Sequence, residues 1–446
     1  MEKNETFEAE CTGYTEDGAG VVRINNAVVF VPGLIIGEKA EVGITLMKKT
    51  YGYGRIVKLL RSSEHRIEPK CTVFRKCGGC LLQYMDDEAQ KYFKEEKVKN
   101  CFKKNAGMDI EPLPILRVEP VWNYRNKVQI PVGRNRKENK VEMGFYMTHT
   151  NQIVDYDRCL VQTDLSNEIT AFLKKEMAEL NCAGEVRHVL IKHAHMTGEV
   201  MVVLVAHHYP FPGSDELTAK LQESFPQIKS LSAIVNNRTD NVILDGREVL
   251  IAGRPYIEET LLDCRFRISA RSFYQINPYA TRVLYAKALE FAQLTGKETV
   301  IDMYCGTGTI GILASRHAKK VYGIEIVADA IKDAKINAEQ NSVSNIDFVN
   351  ADALKGAQAV IRSRIKADVV IVDPPRKGCS KDTLNAIIKI NPKRLVYVSC
   401  DPATLARDVK IMSENGYELQ KVQPVDLFPQ TPHVETVVLM SRVKGK

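Results

Sequence analysis

The chain has 446 residues, 44% of them apolar, and carries 62 Lys and Arg against 55 Asp and Glu, a net charge of +7. That length implies two or three domains. The charge is compatible with a nucleic-acid partner without demanding one, and no apolar run approaches the ~18 residues of a membrane span. The N-terminal "MEKNETFEAEC" lacks an apolar signal core, and the eleven unevenly spread cysteines do not form a secreted disulfide pattern. A cytoplasmic protein with no membrane partner is expected.

Residues 1–60 alternate short apolar runs with turn signals such as Glu16-Asp17-Gly18 and Asn25-Asn26. This is the pattern of a small OB-like β-barrel. Late in this segment Lys48, Lys49, Arg55, Lys58 and Arg61 interleave with Tyr51 and Tyr53. Bases stack on rings while cations track phosphates, so the patch suits RNA; a solvated barrel face is the equal alternative.

Residues 61–268 read as a central, mixed and strand-rich domain. It opens on "CTVFRKCGGC", in which Cys71, Cys77 and Cys80 stand at C-x5-C-x2-C spacing. A zinc ribbon would want a second CxxC, and none exists. Three close thiolates with one distant ligand fit a [4Fe–4S] cluster, with zinc as the alternative. A helix follows over 86–105, placed to pack on the C-terminal domain, and then strands such as the hairpin-like "VLIKHAHMTGEVMVVLVA". The loop 133–140, "GRNRKENK", is a second basic patch. Cys11, Cys101, Cys182, Cys264, Cys305 and Cys379 have no matching cluster and are assigned to packing.

From about Ala270 strands and helices alternate: "TVIDMYCGTG", "KKVYGIEI", "IDFVNAD", "ADVVIVDPP" and "RLVYVSC" are strand-length apolar runs with helical stretches between them. Residues 269–446 therefore predict a doubly wound α/β domain with its ligand at the carboxyl ends of the strands. Glycines in "DMYCGTGTIG" let the backbone approach that ligand. Glu325, ending the second strand, can accept hydrogen bonds from a ribose, and Asp352, after the third, can meet an adenine. Each acid taken singly is better read as a strand-end or cap residue; together they favour a nucleoside cofactor. In "VDPPRKG" two prolines hold Asp373 rigidly over the site.

The next strand closes on Cys400 in "VYVSCDPATLARD", beside the same crevice. A thiolate adding to C6 of a uracil makes C5 nucleophilic toward a sulfonium methyl group, and a base must then remove the C5 proton. Cys400 is the nucleophile in this reading, and Glu435 in "TPHVETVVLMSR" the base.

These motifs resemble the RNA uracil-C5 methyltransferase family, which modifies ribosomal and transfer RNA. The likeness covers essentially the whole chain, with the barrel similar to a TRAM domain and "SCDPATLARD" and "DPPRKG" its most specific signatures. The resemblance implies contacts to S-adenosylmethionine at Gln275 (in "SFYQIN"), Tyr304, Glu325 and Asp373, and roles as nucleophile and base for Cys400 and Glu435. It leaves open whether Asp373 meets the cofactor, the target base or both. It also implies a [4Fe–4S] cluster whose fourth ligand falls on Cys159 in "DRCLVQ". Because tRNA-specific members often lack both barrel and cluster, the resemblance points to 23S rRNA, with tRNA as the alternative and a monomer as the expected state. A non-catalytic RNA-binding protein would need no nucleophile. A cytosine-C5 enzyme would be expected to carry its thiol after a proline, and no Pro-Cys pair occurs.

Overall fold

The computed structural model describes residues 1–135, 140–148 and 150–443; residues 136–139 of the basic loop 133–140 lie outside them. Five strands, β1 (Thr6–Tyr14), β2 (Gly20–Ile24), β3 (Ala27–Val31), β4 (Lys39–Met47) and β5 (Tyr51–Arg61), close a barrel in the order β1-β2-β3-β5-β4. The "YGYG" of β5 follows the two-residue period of a strand: Gly52 and Gly54 face the core, where a Cβ on Gly54 would come within 2.6 Å of Val42. Tyr51 and Tyr53 point outward and form an edge-on cluster with Phe30, their centroids 5.6–5.8 Å apart. Lys48 lies 5.6 Å over the Tyr51 ring.

Helix α1 (Asp87–Cys101) starts where Asp86 caps the Ala89 amide, and it runs into a short π-helical turn over Phe102–Ala106. Its first turns belong to a core with Leu82, Tyr84, Met85 and Ile35 of the barrel. Its last turns, with Val98 and Phe102, belong to the core of the C-terminal sheet. One helix thus ties the two ends of the chain together.

The central unit is a seven-stranded sheet in the order β12-β11-β10-β9-β6-β7-β8, formed by β6 (Lys127–Asn135), β7 (Lys140–Tyr146), β8 (Ile153–Asp155), β9 (Val186–His193), β10 (Val200–Ala206), β11 (Ile228–Val235) and β12 (Arg247–Gly253). Helices α2 (Asp164–Glu179) and α3 (Ser214–Ser224) complete it. Every residue of β10, "VMVVLVA", is buried, as a strand covered on both faces requires. A hairpin of β13 (Tyr256–Leu261) and β14 (Cys264–Ser269) leads to α4 (Pro278–Ala292) and the last domain.

There the alternation expected from the sequence is present. It runs β15 (Thr299–Met303), α5 (Thr309–Ser315), β16 (Lys320–Glu325), α6 (Ala328–Gln340), β17 (Ile346–Asn350), α7 (Ala353–Arg362), β18 (Val369–Val372), α8 (Lys381–Ile390), β19 (Arg394–Ser399) and α9 (Pro402–Glu414). The five strands pair in parallel. The sheet is not wholly parallel, however. β20 (Tyr417–Val425) and β21 (Glu435–Arg442) return as a hairpin, and β21 inserts antiparallel beside β19, giving the order β17-β16-β15-β18-β19-β21-β20. No described helix is long and apolar enough to cross a membrane.

Candidate active site

The sheet order decides which residues meet. Parallel strands end at one edge, and an antiparallel neighbour begins there. Across that edge lie, in turn, Asn350 at the end of β17, Glu325 ending β16, Tyr304 after β15, Asp373 after β18, Cys400 after β19, and Glu435 opening β21. The last β19–β21 partners are Ser399 and Thr436, so one step further Cys400 stands opposite Glu435. Neighbouring strands are about 4.8 Å apart, which brings the thiol, the Glu435 carboxyl and the Asp373 carboxyl onto adjacent strands.

Their electrostatics follow from crowding and burial. Glu435 is 2% exposed. Burial first, then the negative charge of Asp373, raises its pKa to about 8, against the pull of the Arg376 guanidinium. Burial raises Asp373 to about 7. The Cys400 thiol is pushed up to about 12 by burial, Glu435 and Asp373, again opposed by Arg376. Two acids and a thiol cannot all ionise cheaply in so small a space. Arg376, from the "DPPRKG" turn, is the cation that favours the charged forms of Glu435 and Cys400; the prolines of that turn do not point to it.

A raised carboxyl pKa has a sign in stability. Glu435 holds its proton more tightly in the fold than in the unfolded chain, so this contribution is complete below about pH 4.5 and is lost as pH rises through about 8. Each pH unit inside that window costs about 1.4 kcal/mol for the group. The melting temperature of ligand-free protein should therefore fall more steeply between about pH 5 and pH 8 than that of Glu435→Gln. Parallel slopes in calorimetric scans would contradict the burial of this acid.

Beside these groups, Gln275, Tyr304 and Asp373 line one narrow cavity of about 40 Å³, together with Phe273, Tyr285 and Gly306. Asn126 holds the loop that carries Gln275: its amide donates to the Gln275 carbonyl (3.0 Å), and its backbone N–H to Ile276 (2.9 Å). Tyr304 has φ +64°, a strained conformation for an aromatic residue and one that clusters at functional sites. Gly308, at φ +82°, turns the chain into α5 where a Cβ would meet the Phe348 ring at 3.0 Å. Glu325 accepts hydrogen bonds from the Gly306 amide (3.1 Å) and the Val327 amide (2.9 Å), so its carboxylate reaches the glycine turn. Asp352 lies apart from the narrow cavity. It lines a second cavity of about 750 Å³ across Tyr304, and its carboxylate caps α7 through the Lys355 amide (3.0 Å). Asp302, on β15, opens the glycine motif "DMYCGTGTIG". It is fully buried, and burial lifts it to about 8 against the pull of the Gly311 amide.

The cysteines divide by burial. The six assigned to packing are buried; Cys71, Cys77, Cys80, Cys159 and Cys400 are partly exposed. The first four line a single cavity of about 680 Å³ with Arg125, Tyr124 and Thr431. Asn167 fixes Cys159 there, bonding its N–H (2.8 Å) and its carbonyl (3.0 Å). Four thiols around one cavity fit an iron–sulfur cluster in kind and number. Among the described residues no three His, Cys, Asp or Glu side chains converge on a single ion.

Comparison with known proteins gives the family. Residues 87–443 match the family model described as tRNA (Uracil-5-)-methyltransferase, and residues 2–57 match the TRAM domain. The chain belongs to the tRNA (uracil-5-)-methyltransferase family and carries an N-terminal TRAM domain. It is an RNA methyltransferase of the uracil-5 class that uses S-adenosylmethionine. A Clostridium tetani protein described as an uncharacterized RNA methyltransferase is 42% identical, over 99% of this chain and 97% of its own. A Bacillus cereus protein of the same description is also 42% identical, over 100% and 98%. The crystal structure of the Pyrococcus abyssi tRNA (uracil-54, C5)-methyltransferase with S-adenosyl-L-homocysteine superposes with a TM-score of 0.75 at 28% identity, covering 97% of this chain and 99% of that one.

Proposed function

We propose that this enzyme methylates C5 of a uridine in 23S rRNA, giving 5-methyluridine through a covalent bond between Cys400 and C6. The observation that carries the chemistry is the juxtaposition of Cys400, Glu435 and Asp373 on adjacent strands beside the Gln275–Tyr304 cavity. S-adenosylmethionine, held by Gln275, Tyr304, Glu325 and Asp373 with Asp352 toward the adenine, supplies an electrophilic methyl group. The Cys400 thiolate, favoured by Arg376, adds to C6 and makes C5 nucleophilic. Once C5 carries the methyl group, Glu435 takes the remaining C5 proton. The electron pair restores the C5–C6 double bond, the S–C6 bond breaks, and Cys400 leaves as a thiolate. Both groups touch the base, and a uracil is the substrate that needs them together.

The RNA itself has two readings. The barrel with its Phe30–Tyr51–Tyr53 cluster and Lys48 suits an RNA contact, and with the cysteine cavity it underlies the choice of 23S rRNA. The barrel discriminates less than the sequence reading supposes, because the P. abyssi tRNA enzyme matches 97% of this chain. That likeness favours tRNA as the second reading. Mass-spectrometric mapping of 5-methyluridine in rRNA and tRNA from a deletion strain separates them. Loss from 23S rRNA supports the first, loss from tRNA alone the second, and loss from neither removes both.

The four cysteines are proposed to hold a [4Fe–4S] cluster with a structural role, since methyl transfer moves no net electrons. Protein purified anaerobically should contain iron, and Cys77→Ala should be colourless and poorly soluble. Zinc without iron in the wild-type protein would contradict the cluster.

A further inference from the structure

The segment between β20 and β21 has a run of backbone carbonyls, each taken by a donor from a distant part of the chain. Leu427 O accepts from the Asn277 amide (3.1 Å), Phe428 O from Lys94 Nζ (3.0 Å), Pro429 O from the Tyr124 hydroxyl (2.9 Å) and Pro432 O from Lys97 Nζ (2.9 Å). Gln430 O receives two donors, the amides of Leu81 and Leu82, both at 3.1 Å. Those residues directly follow Cys80. Five residues beyond Gln430 lies Glu435.

Gln430 is the least ordinary member of the run. It sits at φ +72°, a region that costs a non-glycine residue about 1–3 kcal/mol unless the surroundings impose it. What imposes it is Gln90 of α1. The Gln90 side-chain amide donates to Gln430 Oε1 (3.0 Å), and its oxygen accepts from the Gln430 N–H (3.1 Å). Gln90 is in turn locked by its own bonds to the Leu82 and Met85 carbonyls, at 3.3 and 3.0 Å. Both glutamines are buried, 1% and 3% exposed. Ordinary packing of a β-hairpin loop needs none of this. A loop that must fix a base on one strand against a thiol on the next does, because displacements of about 1 Å cost about 100-fold in rate.

We propose that Gln90 and Gln430 form a positioning clamp for Glu435, with the Leu81–Leu82 amides of the cysteine loop as its second jaw. Neither glutamine touches the reacting atoms; they act through the backbone of residues 430–435. The inference rests on the reading of Glu435 as the base that ends the Cys400 adduct. It also gives the cysteine cavity a consequence for catalysis: a disturbed Cys80 loop withdraws two donors from Gln430 and loosens the base.

A weakened clamp should slow proton removal and leave the earlier addition and the cofactor site intact. With Gln90→Leu, turnover on a uridine-containing RNA should fall about 10- to 100-fold, the KM for S-adenosylmethionine should stay within about twofold, and a Cys400-dependent protein–RNA adduct should build up on denaturing gels. If Gln90→Leu does not fold, Gln430→Gly tests the same point. Glycine accepts the left-handed backbone but lacks the side-chain bond to Gln90, and adduct should again accumulate. Unchanged turnover, or slowed turnover without adduct, overturns the clamp. Glu435→Gln is run in parallel: if it accumulates no adduct, the assignment of the base fails; if it does while the glutamine variants do not, only the clamp fails.

Discussion

Glu435→Gln should arrest the enzyme as a covalent protein–RNA species, whereas Cys400→Ala should form none. The two substitutions remove different atoms from one sequence of events. Without the Cys400 sulfur nothing attacks C6, C5 stays a poor nucleophile, and neither methylation nor adduct appears. Without the Glu435 carboxylate, attack and methyl transfer proceed, but the C5 proton has no acceptor and the S–C6 bond cannot break. General-base removal costs about 100- to 10,000-fold, so the adduct should dominate at steady state and run as a slower band on denaturing gels. The double variant should show no band, because the adduct depends on Cys400. Normal turnover by Glu435→Gln, or an adduct from Cys400→Ala, would falsify the assigned roles.

The largest stability effect is expected at Lys94→Met. Lys94 and Asp426 are both fully buried and bonded at 2.5 Å, tying α1 to the strap before Glu435. Methionine fills much of the same volume but leaves Asp426 a buried acid with Arg117 at 3.6 Å, and Phe428 O without its Lys94 donor. Breaking one side of a buried pair costs about 3–5 kcal/mol, and the remaining Arg117 puts the expectation near the lower end. Removing both charges in Lys94→Met/Asp426→Leu should recover most of the loss, since apolar replacements of buried pairs are often neutral. Urea denaturation reads both variants. A loss under about 1 kcal/mol for the single substitution would mean that the pair is not dry.

The last domain was legible because its central strands are buried on both faces and read as continuous apolar runs, such as "VVIV" of β18. The motif residues at their ends were legible for the same reason: a parallel sheet sends each strand's last residue to one edge. Strand direction was not. Nothing in the apolar run of β21 says that it enters antiparallel between β19 and β20, yet that insertion sets Glu435 opposite Cys400. The buried polar strap was equally hidden. Lys94 stands in the lysine-rich "KYFKEEKVKNCFKK", which reads as a solvated face, and its partner Asp426 lies 332 residues away. Asp352 shows the same limit: its place after a strand is legible, but not that its carboxylate also caps α7 through the Lys355 amide. Local pattern reports burial and periodicity; it does not report which distant polar group a side chain will meet.

The most direct measurement is peptide mapping of the complex trapped with an RNA carrying 5-fluorouridine at the target position, in the presence of S-adenosylmethionine. Fluorine at C5 cannot leave as a proton, so the reaction should halt after methyl transfer. The mass spectrum should show one nucleotide, methylated and still fluorinated, joined to Cys400 in the peptide containing "VYVSCDPATLAR". A nucleotide on another residue, or methylation of this RNA without any covalent complex, would contradict the account.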